Sequence, residues 1–103
     1  MAAKVIWLRE ALADLEDIGS YIERNSSNYA RIVVQRLYRT AIELPRFPGM
    51  GRQVPEWDDA RYREKIVYSY RLIYRVVSPE RIEVLAVIHG TRLLPDVIRD
   101  RGR

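Results

Sequence analysis

Hydrophobic and polar positions change period several times along this chain, and each change marks an element. Lys4-Val5-Ile6-Trp7 is a short β-prone run and predicts a strand. From Leu8 onward the spacing turns helical. Leu8, Ala11, Leu12, Leu15, Ile18, Gly19 and Ile22 make one stripe of an amphipathic helix. Glu10, Asp14, Glu16, Asp17 and Glu23 take the other faces, and acidic residues early in a helix suit the positive end of its dipole. Asn25-Ser26-Ser27-Asn28 breaks the pattern as a polar turn and offers N-cap side chains for a second helix. Ala30, Val33, Val34, Leu37, Ala41 and Leu44 form its stripe, and Pro45 ends it, because proline disfavours helical backbone in the preceding residue. Two amphipathic helices joined by a short turn make an antiparallel hairpin. Neither can bury its stripe alone, so both are expected to pack on a sheet.

That sheet lies further on. Residues 47–56 read as a loop from their proline and glycine content, and Trp57-Asp58-Asp59-Ala60 continues it. The stretch from Arg61 to Arg92 then reads as three consecutive strands. Tyr62, Glu64, Ile66 and Tyr68 alternate with Arg63, Lys65 and Val67, and Tyr70, Leu72, Tyr74 and Val76 alternate with Arg71, Ile73, Arg75 and Val77. The expectation is a sheet with one apolar and one cationic face. The joint at Tyr68-Ser69 must be tight, and Ser78-Pro79-Glu80 is a hairpin turn. Ile82 to Ile88 is almost wholly apolar apart from Glu83, the pattern of a strand covered on both faces. Such a strand needs a second neighbour, which the N-terminal strand can supply. The predicted fold is α+β: β-α-α-β-β-β, a two-helix hairpin on an antiparallel sheet of about four strands. Residues 1–103 form one domain, with 92–103 either a short helix beginning near Pro95 or a flexible end.

Composition narrows the function classes. There is no cysteine, which removes thiolate metal sites and disulfides, and the single histidine removes a multi-histidine site. No cofactor is expected. No apolar run approaches the roughly 20 residues that span a bilayer, and the N-terminus lacks the apolar core of a signal peptide. A cytoplasmic protein is expected. The net charge is +4, distributed as −2 over residues 1–24, +4 over 25–52 and +2 over 53–103. The basic surplus therefore sits in the second helix and the sheet, which favours an anionic partner: nucleic acid or an acidic protein.

Four stretches in this order resemble the RelE/ParE superfamily: Asp17-Ile18-Gly19-Ser20-Tyr21-Ile22, Pro48-Gly49-Met50-Gly51-Arg52, Tyr70-Arg71-Leu72-Ile73-Tyr74-Arg75-Val76 and Val87-Ile88-His89-Gly90-Thr91-Arg92. The resemblance spans about Val5 to Arg92. It implies the toxin of a type II toxin–antitoxin system, held in a hetero-oligomer by a small cognate antitoxin. It leaves two targets open. RelE-like members cut mRNA on the ribosome, whereas ParE-like members share the fold, poison DNA gyrase and are not nucleases.

Cleavage of RNA by a 2′-hydroxyl needs a base, an acid and cations around the phosphorane. By resemblance, Arg71 takes the position of the transition-state arginine, His89 and Glu56 those of acid or base residues, and Arg63, Lys65 and Arg92 those of phosphate-binding cations. Arg63 and Lys65 are expected to share a face with each other and, across the hairpin, with Arg71. The activity implied would be a metal-independent endoribonuclease. Structural roles are also open: Arg71 paired with Glu64 or an antitoxin carboxylate, Arg63 and Lys65 solvated on an exposed sheet face, Glu56 a surface charge of the loop, Arg75 paired with Glu83, and His89 hydrogen-bonded at a strand end. RelE-type nucleases commonly carry an aromatic residue near the C-terminus, and this chain has none from Arg75 to Arg103. That departure tilts the reading towards a ParE-like gyrase poison. A non-toxic basic module that binds RNA or protein is the third reading.

Overall fold

The computed structural model describes residues 3–47 and 51–102. The Pro48-Gly49-Met50 part of the resemblance lies outside the described residues. The chain runs through β1 (Lys4–Trp7), α1 (Arg9–Glu23), α2 (Ser27–Glu43), β2 (Arg52–Gln53), β3 (Tyr62–Val67), β4 (Tyr70–Ser78), β5 (Arg81–His89) and α3 (Asp96–Arg99). The strands form one sheet in the order β1-β5-β4-β3-β2.

The predicted α+β layering is present, with two corrections. The sheet has five strands, because Arg52 and Gln53 of the presumed loop pair with Glu64 and Arg63. It is also mixed: β1 lies parallel to β5, with Val5 opposite Ile82 and Trp7 opposite Val84. Parallel neighbours need a long crossover, and the helical hairpin followed by β2 to β4 provides one. The C-terminal end is the short helix rather than a free tail.

Side chains fix where α2 starts and how closely it meets α1. The Ser26 hydroxyl accepts the backbone N–H of Tyr29 at 3.1 Å and caps α2. Gly19 lets α1 and α2 approach, since a Cβ there would sit 3.1 Å from a Val34 methyl. Ala11, Leu15 and Ile22 of α1 and Ala30, Val33, Leu37 and Ala41 of α2 close over Val67, Leu72, Val84 and Val87. Leu12, placed in the stripe by its spacing, is instead half-exposed.

The other face of the sheet is not the bare cationic surface expected. Val54 and Trp57 from the loop, with Leu94 and Ile98 from the C-terminal segment, pack there on Tyr62, Ile73, Leu85 and Ala86. Two arginines that point to this side are buried among them: Arg71 and Arg75 are both less than a tenth exposed.

Candidate functional site

A two-residue turn at Tyr68-Ser69 closes the β3–β4 hairpin and sets which side chains meet. Lys65 lies opposite Leu72, Arg63 opposite Tyr74, and Arg71 opposite Ile66. Directly opposed residues share a face. Arg63 and Lys65 therefore stand on the helix side of the sheet, and Arg71 stands on the far side with Glu64 and Ile73. The expected sharing of one face by these three cations is corrected by the register.

On the far side an ion-pair ladder replaces the open cationic surface. Arg52 Nε donates to Glu64 Oε2 at 2.7 Å, and Arg71 Nε donates to Glu64 Oε1 at 2.8 Å. Arg71 Nη1 and Nη2 then reach Glu56 Oε2 and Oε1 at 2.8 and 2.7 Å, a two-point fork. Arg71 Nη1 also donates to the Arg92 carbonyl at 3.2 Å, and Glu56 Oε2 accepts the Leu94 N–H at 2.9 Å. Loop, sheet and C-terminal segment are thus fastened at one point. The Glu64 side chain is fully buried and that of Arg71 nearly so. The hydrogen bonds from Arg71 and the Leu94 N–H outweigh burial and hold the Glu56 carboxyl down at about 2. The two carboxylates push the Arg71 guanidinium further above its already high value.

A second buried pair lies further along β4. Arg75 pairs with Glu83, whose other oxygen accepts from Arg81 at 2.9 Å. Asp14 joins α1 to β5 and the C-terminal end: its Oδ2 accepts the Val87 N–H at 3.1 Å and Arg101 Nη1 at 2.9 Å.

The remaining expected site residues are spread out. Arg63 Nε donates to the Gly51 carbonyl at 2.9 Å. Lys65 lines a cleft between α2 and β3 of about 280 Å³. His89 is exposed at the end of β5; its Nδ1 accepts the Thr91 N–H at 3.3 Å and lies 2.8 Å from the Thr91 hydroxyl. The ring also packs edge-on against Tyr70, with centroids 5.6 Å apart. His89 and Arg92 border an open groove of about 530 Å³ with Asp17, Tyr21 and Tyr70.

Chemically, the far side holds a neutralised ladder in place of an anion trap. A base held near 2 by an arginine fork is poorly placed to take a proton at neutral pH. Among the described residues, no three or more histidines, aspartates or glutamates gather as metal ligands. None of the described helices is long and apolar enough to cross a membrane. The sequence offers Glu64 as a partner for Arg71, but no local pattern marks Arg52, in a proline- and glycine-rich stretch, as a member of this ladder. Helical spacing likewise does not single out Arg36, which lines the α2–β3 cleft with Lys65.

Comparison with known proteins converges on one family. The sequence profile described as ParE toxin of type II toxin–antitoxin system, parDE, matches residues 5–94. Toxin RelE2 of Caulobacter vibrioides is 32% identical over 91 residues, covering 88% of this chain and 99% of that protein. The fold is similar to that of a chromosomal ParDE system from P. aeruginosa, with a TM-score of 0.70 at 21% identity, over 85% of this chain and 96% of the other. It is also similar to that of the YoeB dimer from Staphylococcus aureus, with a TM-score of 0.57 at 16% identity, over 84% and 94% of the two chains. The chain belongs to the ParE toxins of type II toxin–antitoxin systems, within the RelE/ParE superfamily.

Proposed function

We propose that this toxin arrests growth as a ParE-like poison of DNA gyrase in the cytoplasm and carries no ribonuclease chemistry of its own. The observation that carries the reading is the Arg71 fork. Two carboxylates, Glu56 and Glu64, occupy its guanidinium, so the residue best matched to a transition-state cation is held inside the scaffold. The match to the ParE profile over residues 5–94 points the same way. In this reading Arg71 and Glu56 are structural, and growth arrest depends on a protein surface rather than on bond cleavage. A cognate antitoxin, expected from the family, neutralises the toxin by covering exposed apolar surface with an acidic-flanked helix and strand.

A ribosome-dependent mRNA endoribonuclease is the second reading, favoured by the 32% identity to toxin RelE2. It would assign catalysis to Arg71, His89 and Glu56, and phosphate binding to Arg63, Lys65 and Arg92. It requires the Arg71 fork to open and the C-terminal segment to move.

Two assays after induction in a bacterium separate the readings. Primer extension on an abundant reporter mRNA is expected to show no new cuts while growth stops, and purified gyrase is expected to lose supercoiling activity. Cuts inside translated codons that vanish when translation is blocked would replace the gyrase reading with the nuclease. Undisturbed growth at good expression would leave neither standing and favour a plain binding module.

A further inference from the structure

The α2–β3 cleft differs in kind from the ladder on the far side of the sheet. Arg36 and Thr40 of α2 wall it on one side, and Lys65, Ile66, Val67 and Tyr68 on the other. No carboxylate lines it. Among the described residues, neither the Arg36 guanidinium nor the Lys65 ammonium has an ion-pair or hydrogen-bond partner, whereas Arg52, Arg71, Arg75 and Arg81 are all paired with carboxylates. Two unneutralised cations across a small cleft leave a positive potential that an anion would relieve.

The third feature is aromatic. Tyr68 borders the cleft, is 53% exposed, and holds a left-handed backbone with φ of 53°. Glycine or asparagine usually occupies that conformation in a tight hairpin. The tyrosine there presents a ring with an accessible surface beside two free cations.

We propose that this cleft binds single-stranded nucleic acid, with Arg36 and Lys65 holding a backbone phosphate and Tyr68 stacking on an adjoining base. Cations that track the backbone, with an aromatic platform for bases, are the parts from which sequence-tolerant single-strand sites are built. An acidic peptide would use the cations and leave the ring without a partner; a nucleotide uses both. A base must also leave a duplex stack to reach such a ring, which selects single strands. The proposal requires no bond cleavage and does not involve Arg71. It shares Lys65 with the phosphate set of the nuclease reading, but Arg36 and Tyr68 belong to neither that reading nor the gyrase one.

The test is fluorescence anisotropy of the full-length toxin with a labelled 12-nucleotide oligothymidylate, over a range of salt concentrations. Arg36→Ala and Lys65→Ala are each expected to weaken binding roughly fivefold or more and to lower the salt slope by about one. Tyr68→Leu is expected to weaken it roughly tenfold with the salt slope unchanged. Arg9→Ala, which removes the same charge on α1 outside the cleft, is expected to bind like wild type. Should Lys65→Ala fail to fold, Lys65→Gln takes its place, and upfield shifts of the Tyr68 ring protons on adding oligonucleotide to wild type report the stack directly. Absent wild-type binding, equal weakening by Arg9→Ala, or displacement by polyglutamate at equal charge would each overturn the proposal. The last outcome would reassign the cleft to an acidic protein.

Discussion

Arg71 and Glu56 meet fork to fork, at 2.8 and 2.7 Å, across the gap between the sheet and the loop that covers it. Glu64 completes the enclosure of Arg71 from the neighbouring strand. Removing one partner of a buried pair costs more than the pair contributes, because the remaining charge is left unsatisfied. Glu64→Gln is therefore expected to lower unfolding free energy by roughly 3 kcal/mol. Arg52 on the same carboxylate has a side chain 66% exposed, and Arg52→Ala should cost only about 0–1 kcal/mol. Urea unfolding of both variants checks the contrast, and equal effects would contradict the burial argument.

The same fork makes stability depend on pH. The Glu56 carboxyl lies at about 2 in the folded protein against an ordinary 4.5, so protonation favours the unfolded chain. Its contribution is complete above about pH 4.5 and is lost as pH falls towards 2. Melting temperatures of wild type and Glu56→Gln should differ by a constant amount from neutral pH down to about 5 and converge below it. A gap that persists unchanged well below pH 4 would remove this pair as the source.

Arg71→Ala should abolish growth arrest and antitoxin binding together, because the loop and the Arg92 carbonyl lose their anchor. Pull-down by the cognate antitoxin, read beside a toxicity assay, measures both. Loss of toxicity with full antitoxin binding and an unchanged melting temperature would instead give Arg71 a direct role at the target.

The C-terminal segment is part of the core. Ile98 is 4% exposed against Tyr62, Ile73 and Leu85, whereas its neighbour Val97 is 70% exposed. Ile98→Ala should destabilise by about 2–4 kcal/mol, and Val97→Ala by no more than about 0.5 kcal/mol. Thermal unfolding of the pair distinguishes a packed helix from a loosely attached tail.

Tyr68 carries a backbone conformation that suits glycine better. Tyr68→Gly should raise stability by up to about 1 kcal/mol while weakening oligonucleotide binding. A loss of stability in urea would mean that the ring packs on the hairpin strongly enough to outweigh the backbone strain.

The residues alone determined the two long helices, the four longer strands and their order, though not the short β2. Period 3.6 in α1 and α2, period 2 in β3 and β4, and the continuous apolar run of β5 are local properties, and the observed helices and strands follow them. The stacked order of layers also follows, since two one-sided helices must bury their stripes together. Tertiary structure decided what those patterns leave free. Alternation sorts the residues of one strand into two faces, but the turn length and register decide which face of the next strand each set joins. The two-residue turn at Tyr68-Ser69 put Arg71 opposite Ile66 and sent Lys65 to the other side. The partner of Arg71 likewise depends on a loop residue 15 positions away, and no local period encodes where such a loop folds back. Burial then turned a strand of cations into a neutralised ladder, because a charge enclosed among Tyr62, Ile73 and Leu94 persists only with a carboxylate beside it.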